Sequence, residues 1–376
     1  MLHTQISLLV TSLVRRVRND LPLLVHTPPV WNEKSPFVSV IIPCYNFGHV
    51  VSEAVDSVLN QTWQDLEIII VNDGSTDKET IKTLSAFQRP KTRILNLPQN
   101  IGLPAARNTG ILEARGKYIC CLDADDKLQE TYIEKAITVM EINSGISFVW
   151  PWTKVFGSED RVWYTPQFDP YQILFYNQLN SSAVFKKSAW QHAGGFNENM
   201  RDGFEDWEFW IRLTGHSFRG YRISEKLFFC RRVGYSFANR AADNKDVLFE
   251  QIRSNNANLY INPKLTMETI KRSYRDSYNP TPFLNIHERE YKEIQGLDRI
   301  IISSLNTQDT LSWLRRNPMS QPFLWISKKA LDEKTTDALY AITPYVYILP
   351  NFMPEYARHE FIISLHDKFQ VPITKV

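Results

Sequence analysis

Residues 117–126 read Lys-Tyr-Ile-Cys-Cys-Leu-Asp-Ala-Asp-Asp. Tyr118 to Leu122 form an unbroken apolar run, the pattern of a parallel strand covered on both faces. The run passes without a spacer into Asp123, Ala124, Asp125 and Asp126. Open α/β sheets bind ligands beyond the carboxyl ends of their strands, so carboxylates delivered at such an end mark a ligand edge. A strand over residues 117–122 is therefore expected, with its carboxyl end at the acidic run,.

Upstream, Phe37 to Ile42 is a short run rich in β-branched residues, ended by Pro43. Val51, Ala54, Val55, Val58 and Leu59 then repeat at helical spacing,. Leu66 to Val71 is a second buried strand, closed by the turn residues Asn72, Asp73 and Gly74,. Strand, helix and strand this closely joined predict a right-handed βαβ unit. Arg93 to Leu97 continues as a strand, and 104–114 as a helix. Cys44-Tyr45-Asn46, Asn72-Asp73-Gly74 and the acidic run thereby converge on one sheet edge.

The predicted fold class is α/β: a Rossmann-like mixed sheet, followed by a helical segment and a small α/β unit. Residues 1–35 are read as an N-terminal helix and linker, 36–240 as the principal domain, 241–295 as a helical connection and 296–376 as the small unit. The small unit rests on a second alternation, Asp298 to Ser303, Pro322 to Ser327 and Tyr345 to Pro350, with a helix around 355–368. It carries no phosphate-cradling glycine loop, and it weakly resembles the opening half of a GT-B-like domain. Ile6 to Val14 is about half the length of a membrane span and lacks signal-peptide flanks. Arg15, Arg16 and Arg18 follow it, so contact with an anionic membrane surface is one reading and a short packed helix the plainer one.

With 43 Lys and Arg against 41 Asp and Glu, the formal charge is +2, which gives no reason to expect nucleic acid as a partner,. The four cysteines, Cys44, Cys120, Cys121 and Cys230, match neither a zinc site nor a disulfide framework,. A reducing, cytoplasmic compartment fits them best. Ten Trp, 16 Tyr and 21 Phe describe an ordered globular chain with surfaces on which rings can stack,.

Asp123 and Asp125, at i and i+2 after a buried strand, can grip a divalent cation that shares its shell with substrate phosphates. Taken alone, an Asp-x-Asp is more often a helix-capping turn. Arg107, early in a predicted helix, could clamp phosphate oxygens or pair with Glu113 on the surface. Asp73 could accept from a base or ribose, or simply close its own turn. Glu205 and Asp206 open a helix whose dipole favours acids there. They also offer a general base for an acceptor hydroxyl, with Asp206 the natural candidate and Glu205 the alternative. Trp207 and Trp210 could frame a ring, with core packing the plainer role for at least one.

Taken together the motifs resemble the family 2 glycosyltransferases of the GT-A fold. The matching pieces are Val38 to Asn46, Val71 to Asp77, Asn100 to Gly102 through Ala106 to Gly110, Leu122 to Asp126, and Gly194-Gly195-Phe196 leading to Glu205-Asp206. The resemblance implies an inverting transfer from a nucleoside diphosphate sugar to a glycan or lipid-linked acceptor, of the kind that builds bacterial surface polysaccharide at the inner face of the membrane. It implies Pro43, Tyr45, Asp73, Arg107 and Asp123 around the nucleotide sugar, Asp123 and Asp125 on Mg²⁺ or Mn²⁺, and Asp206 as base. One departure concerns the stretch Cys230 to Ser236, which has no histidine where some relatives place a metal ligand.

Two other classes make different demands on the sequence. A nucleotidyltransferase should carry a glycine-rich basic loop after its first strand, whereas this chain has Cys-Tyr-Asn-Phe-Gly-His at 44–49. A non-catalytic module of the same fold, binding glycan or a partner enzyme, should have lost the Asp-x-Asp or the base, and both are present.

Overall fold

The computed structural model describes residues 24–25, 35–234, 236–275 and 292–376. The expected amphipathic helix near Ile6 and most of the proline-rich arm lie outside the described residues. Leu24–Val25 forms β1, an antiparallel edge against a later strand.

The first half of the principal sheet is built as β2 (Val38–Cys44), α1 (Val51–Leu59), β3 (Leu66–Asn72), α2 (Lys78–Ser85), β4 (Thr92–Asn96), α3 (Leu103–Glu113) and β5 (Tyr118–Cys121). β4, β3, β2 and β5 lie side by side and parallel, with Val38 opposite Leu66 and Cys44 opposite Asn72. Every residue of β2 is buried because helices cover both faces,. Val38, Val40 and Ile42 enter one core with Val51, Ala54, Val55 and Val58 of α1. Ile41 turns to the other core with Ala106 and Ile111 of α3. α3 approaches the sheet so closely that a Cβ on Gly110 would lie 2.4 Å from Ile41 Cγ2.

The chain then adds β6 (Lys127–Leu128), α4 (Tyr132–Ile142), β7 (Ile146–Gly157), β8 (Arg161–Trp163), β9 (Val184–Lys186), α5 (Lys187–Ala193), α6 (Glu205–Gly215) and β10 (Arg219–Arg232). β9 runs antiparallel between β5 and β7, so the sheet is mixed. β10 pairs along β7, and its far end turns back against β6. That return lays residues 228–232 beside the acidic turn at 123–126.

α7 (Phe237–Asp243), α8 (Lys245–Asn255), α9 (Ala257–Tyr260) and α10 (Pro263–Ser273) follow. Their Ala241, Leu248, Ile252, Leu259 and Met267 share a core with Phe209 and Trp210 of α6. A second, all-parallel sheet has the order β13-β12-β11-β14. It is made from β11 (Arg299–Ser303), α11 (Thr307–Arg316), β12 (Phe323–Ser327), α12 (Glu333–Tyr340), β13 (Val346–Ile348), α13 (Arg358–Phe369) and β14 (Ile373–Lys375). Ile300, Ile302, Leu324, Ile326 and Tyr347 of this unit join one hydrophobic cluster with Ile133, Ile137 and Met140 of α4. Inside that junction Lys135 donates to Glu225 Oε2 at 2.8 Å and to the Val346 carbonyl at 2.7 Å.

Among the described residues no helix is long and apolar enough to cross a membrane. Cys44, Cys120, Cys121 and Cys230 are all buried free thiols.

Candidate active site at the carboxyl edge of the sheet

Asp123, the first residue of the acidic turn, accepts from Arg107 Nη2 at 2.8 Å. The other terminal nitrogen of Arg107 reaches Glu205 Oε1 at 2.5 Å. Arg107 is 1% exposed and Glu205 is buried, so one guanidinium ties the end of β5, the first turn of α3 and the start of α6. Two carboxylates hold that charge in place of surface pairing with Glu113, and Arg107 Nε has no partner.

Asp73 positions this helix from beneath. Its carboxylate accepts the amides of Ile101 at 2.8 Å and Gly102 at 3.1 Å, satisfying donors at the amino end of α3 that helix geometry leaves free,. Burial raises its carboxyl above the usual range, and those two amides pull it back down. The neighbouring rim is tied by Asn46, whose side-chain oxygen accepts the amides of Thr76 and Asp77 at 2.9 and 3.0 Å. Pro43 is buried within β2, and Tyr45 just beyond it is 40% exposed.

α6 opens after a forced turn. Gly203 has φ +133° and Phe204 φ +58°, and a Cβ on Gly203 would lie 2.5 Å from Ala241 Cβ. The turn sets Glu205 and Asp206 in the first helical turn, where the dipole favours negative charge,. Burial nevertheless pushes Glu205 up to about 7, against the pull of Arg107. Asp206 is likewise raised by burial. Its oxygens accept from the Trp207 amide at 2.7 Å and from Asn177 Nδ2 at 3.2 Å.

Asp125 sits two residues beyond Asp123. Burial, then the charge of Asp123, raises it to about 6, while its own backbone amide is its hydrogen-bond donor. Asp126 points elsewhere and accepts the Arg231 amide at 2.7 Å. Among the described residues no three His, Cys, Asp or Glu stand together as a metal site. Asp123 and Asp125 could hold a cation that takes its remaining ligands from substrate phosphate and water, since among the described residues no ion pair occupies the Asp125 carboxylate,.

The structure thus brings Asp123, Arg107 and Glu205 into contact, with Asp125 and Asp206 adjoining in sequence and Asp73 joined through the amino end of α3. Trp207 and Trp210 are 3% and 0% exposed, which corrects the reading that they frame a ring: both are core. Asn177 and Ser181, which touch Asp206 and Asp123, escaped the sequence reading. They lie in an irregular stretch with no hydrophobic period to mark it.

Residues 39–200 match the family model described as glycosyl transferase family 2. An uncharacterized glycosyltransferase of Haemophilus influenzae is 31% identical over 200 residues, covering 48% of this chain and 61% of that protein. Hyaluronan synthase of Pasteurella multocida is 31% identical over 185 residues, covering 48% of this chain and 19% of that protein. A fragment of S. aureus TarS in complex with UDP-GlcNAc superposes with a TM-score of 0.47 at 18% identity, covering 54% of this chain and 60% of that chain. The chain spans less than two thirds of the length of these relatives. The mixed α/β sheet, the helices after it and the small parallel sheet agree with the fold class read from the sequence. The stretch over residues 39–200 thus carries this chain's likeness to the family 2 glycosyltransferases.

Proposed function

We propose that the chain transfers a sugar, with inversion, from a nucleoside diphosphate sugar to a hydroxyl of a glycan or lipid-linked acceptor in surface polysaccharide synthesis. The observation that carries this reading is the buried line Asp123–Arg107–Glu205 ending beside Asp206. Asp206 takes the proton of the acceptor hydroxyl, whose oxygen bonds to the anomeric carbon as the bond to the diphosphate breaks. Asn177 and the Trp207 amide fix the orientation of that carboxylate. Arg107 holds Asp123 and Glu205 so that neither can turn away. Tyr45 and Pro43 border the base, and Asp73 fixes the backbone at 101–102 next to it. Asp123 and Asp125 would hold Mg²⁺ or Mn²⁺, which when bound neutralises charge on the leaving diphosphate. The protein is assigned to the cytoplasm, peripheral at the inner face of the membrane.

The test is a hydrolysis and binding screen of nucleotide sugars with Mg²⁺ or Mn²⁺, comparing the native chain with Asp125→Ala and Asp206→Asn. One donor class should be consumed by the native chain. Asp125→Ala should abolish the metal requirement together with turnover, and Asp206→Asn should keep donor binding while losing transfer. If no donor is bound or consumed the reading fails, and if Asp125→Ala equals the native chain the metal-assisted route fails.

A further inference from the structure

Most of the cations around the acidic turn are already taken by carboxylates. Arg107 is taken by Asp123 and Glu205. Arg231 and Lys127 both reach Glu53 of α1, at 2.7 and 3.3 Å. Arg231 also donates from Nε to the Asp125 carbonyl at 2.9 Å and from its amide to Asp126 at 2.7 Å, which fastens the end of β10 to the turn. The next residue, Arg232, has no such outlet. Its guanidinium meets only Cys230 Sγ at 3.0 Å and the Arg231 carbonyl at 3.2 Å, and among the described residues no carboxylate pairs with it.

Among the described residues no ion pair occupies the Asp125 carboxylate, and Arg231 reaches only its backbone carbonyl. Arg231 holds the end of β10 to residues 125 and 126, and Arg232 follows it directly at the same turn. A partly buried guanidinium with nothing anionic to bind, held beside a carboxylate suited to a cation, is arranged for a third group that carries both negative charge and metal-binding oxygens.

We propose that Arg232 is a donor-binding residue whose guanidinium takes diphosphate oxygens of the nucleotide. The inference rests on the glycosyltransferase reading above and adds to it a second, protein-borne cation at the diphosphate. Gly234, with φ +56°, and Val233, 70% exposed, follow directly, so the end of β10 turns outward beside this group.

The test is calorimetric binding of UDP, GDP, ADP and CDP, each with Mn²⁺, to the full chain and to Arg232→Ala and Arg232→Lys. The tightest diphosphate should bind Arg232→Ala about tenfold or more weakly, and Arg232→Lys should recover most of the loss. The matching monophosphate should lose less than the diphosphate. Thermal midpoints of both variants are measured alongside, and this partly exposed side chain should leave them near native. If Arg232→Ala binds the diphosphate within about twofold of native, or if Arg232→Lys falls as far as alanine, the role of Arg232 is overturned while the donor reading stands. If no diphosphate binds the native chain, both are overturned together.

Discussion

Arg107 Nη1 and Glu205 Oε1 meet at 2.5 Å across 98 residues of chain, with both side chains nearly sealed from solvent. The contact closes a loop between the first half of the sheet and α6, so the residue before the candidate base Asp206 is held by the same charge that steadies the acidic turn. Removing one partner of a buried pair leaves an uncompensated charge, which costs about 3–5 kcal/mol. Arg107→Met should lose stability of that order in urea denaturation. Burial already raises Glu205 to about 7 with Arg107 present. Without Arg107, Glu205 prefers its neutral form still more strongly in the folded state. A folded-state carboxyl raised above its unfolded value loses stability as pH rises through that interval. The deficit of Arg107→Met should therefore be larger at pH 8 than at pH 5, and an equal deficit at both would refute the pairing argument.

As the proposed base, Asp206 must be ionised to take a proton. Burial raises its carboxyl above the usual aspartate value, with the Trp207 amide and Asn177 opposing the shift. The acid limb of kcat/KM should lie above the ordinary aspartate range, activity falling as pH drops through it. Asn177→Ala removes a stabilising hydrogen bond to the ionised form, so the limb should move further up. Asp206→Asn should lose about 10²-fold or more in kcat. A profile unmoved by Asn177→Ala would remove Asn177 from the site.

The strands were legible because their apolar runs are bounded sharply: Tyr118–Cys121 forms within the predicted 117–122, and Phe323–Ser327 within 322–327. Pairwise chemistry was less so. Sequence spacing offered Arg107 a phosphate or Glu113 as partner, whereas its carboxylate partners stand 16 and 98 residues away. Such contacts depend on how β9 and α6 return to the sheet, in a region where short strands and loops leave no period to read. The aromatic residues Trp207 and Trp210 show the same limit, since nothing local distinguishes a buried ring from a stacking platform.

Gly110 tests how tightly α3 must lie on the sheet. A Cβ there would sit 2.4 Å from Ile41 Cγ2 and 2.9 Å from Val71 Cγ2, both in packed strands. Gly110→Ala should destabilise by about 1–3 kcal/mol despite alanine's better helix propensity. It should also displace Arg107, three residues earlier on the same helix, so donor binding should weaken along with the thermal midpoint. A variant as stable as native would mean that α3 can shift freely.

Lys135 and Glu225 provide the sharpest test of the junction between the two sheets. Both side chains are 0% exposed and 2.8 Å apart, with Tyr340 donating to the same Glu225 oxygen at 2.7 Å. The amine is drawn to three elements at once, because it also donates to the Val346 carbonyl and to Tyr340 Oη at 3.1 Å. Lys135→Met leaves Glu225 buried and unpaired, and should cost about 3–5 kcal/mol. Lys135→Met with Glu225→Leu removes both charges and should recover most of that loss, since apolar replacement of a whole buried pair is often neutral. If the small sheet is held chiefly by its apolar face, limited proteolysis should leave residues 299–375 protected in the double variant and exposed in the single one. Equal exposure in both would mean that the ion pair itself, rather than the surrounding Ile300, Leu324 and Tyr347, secures the junction.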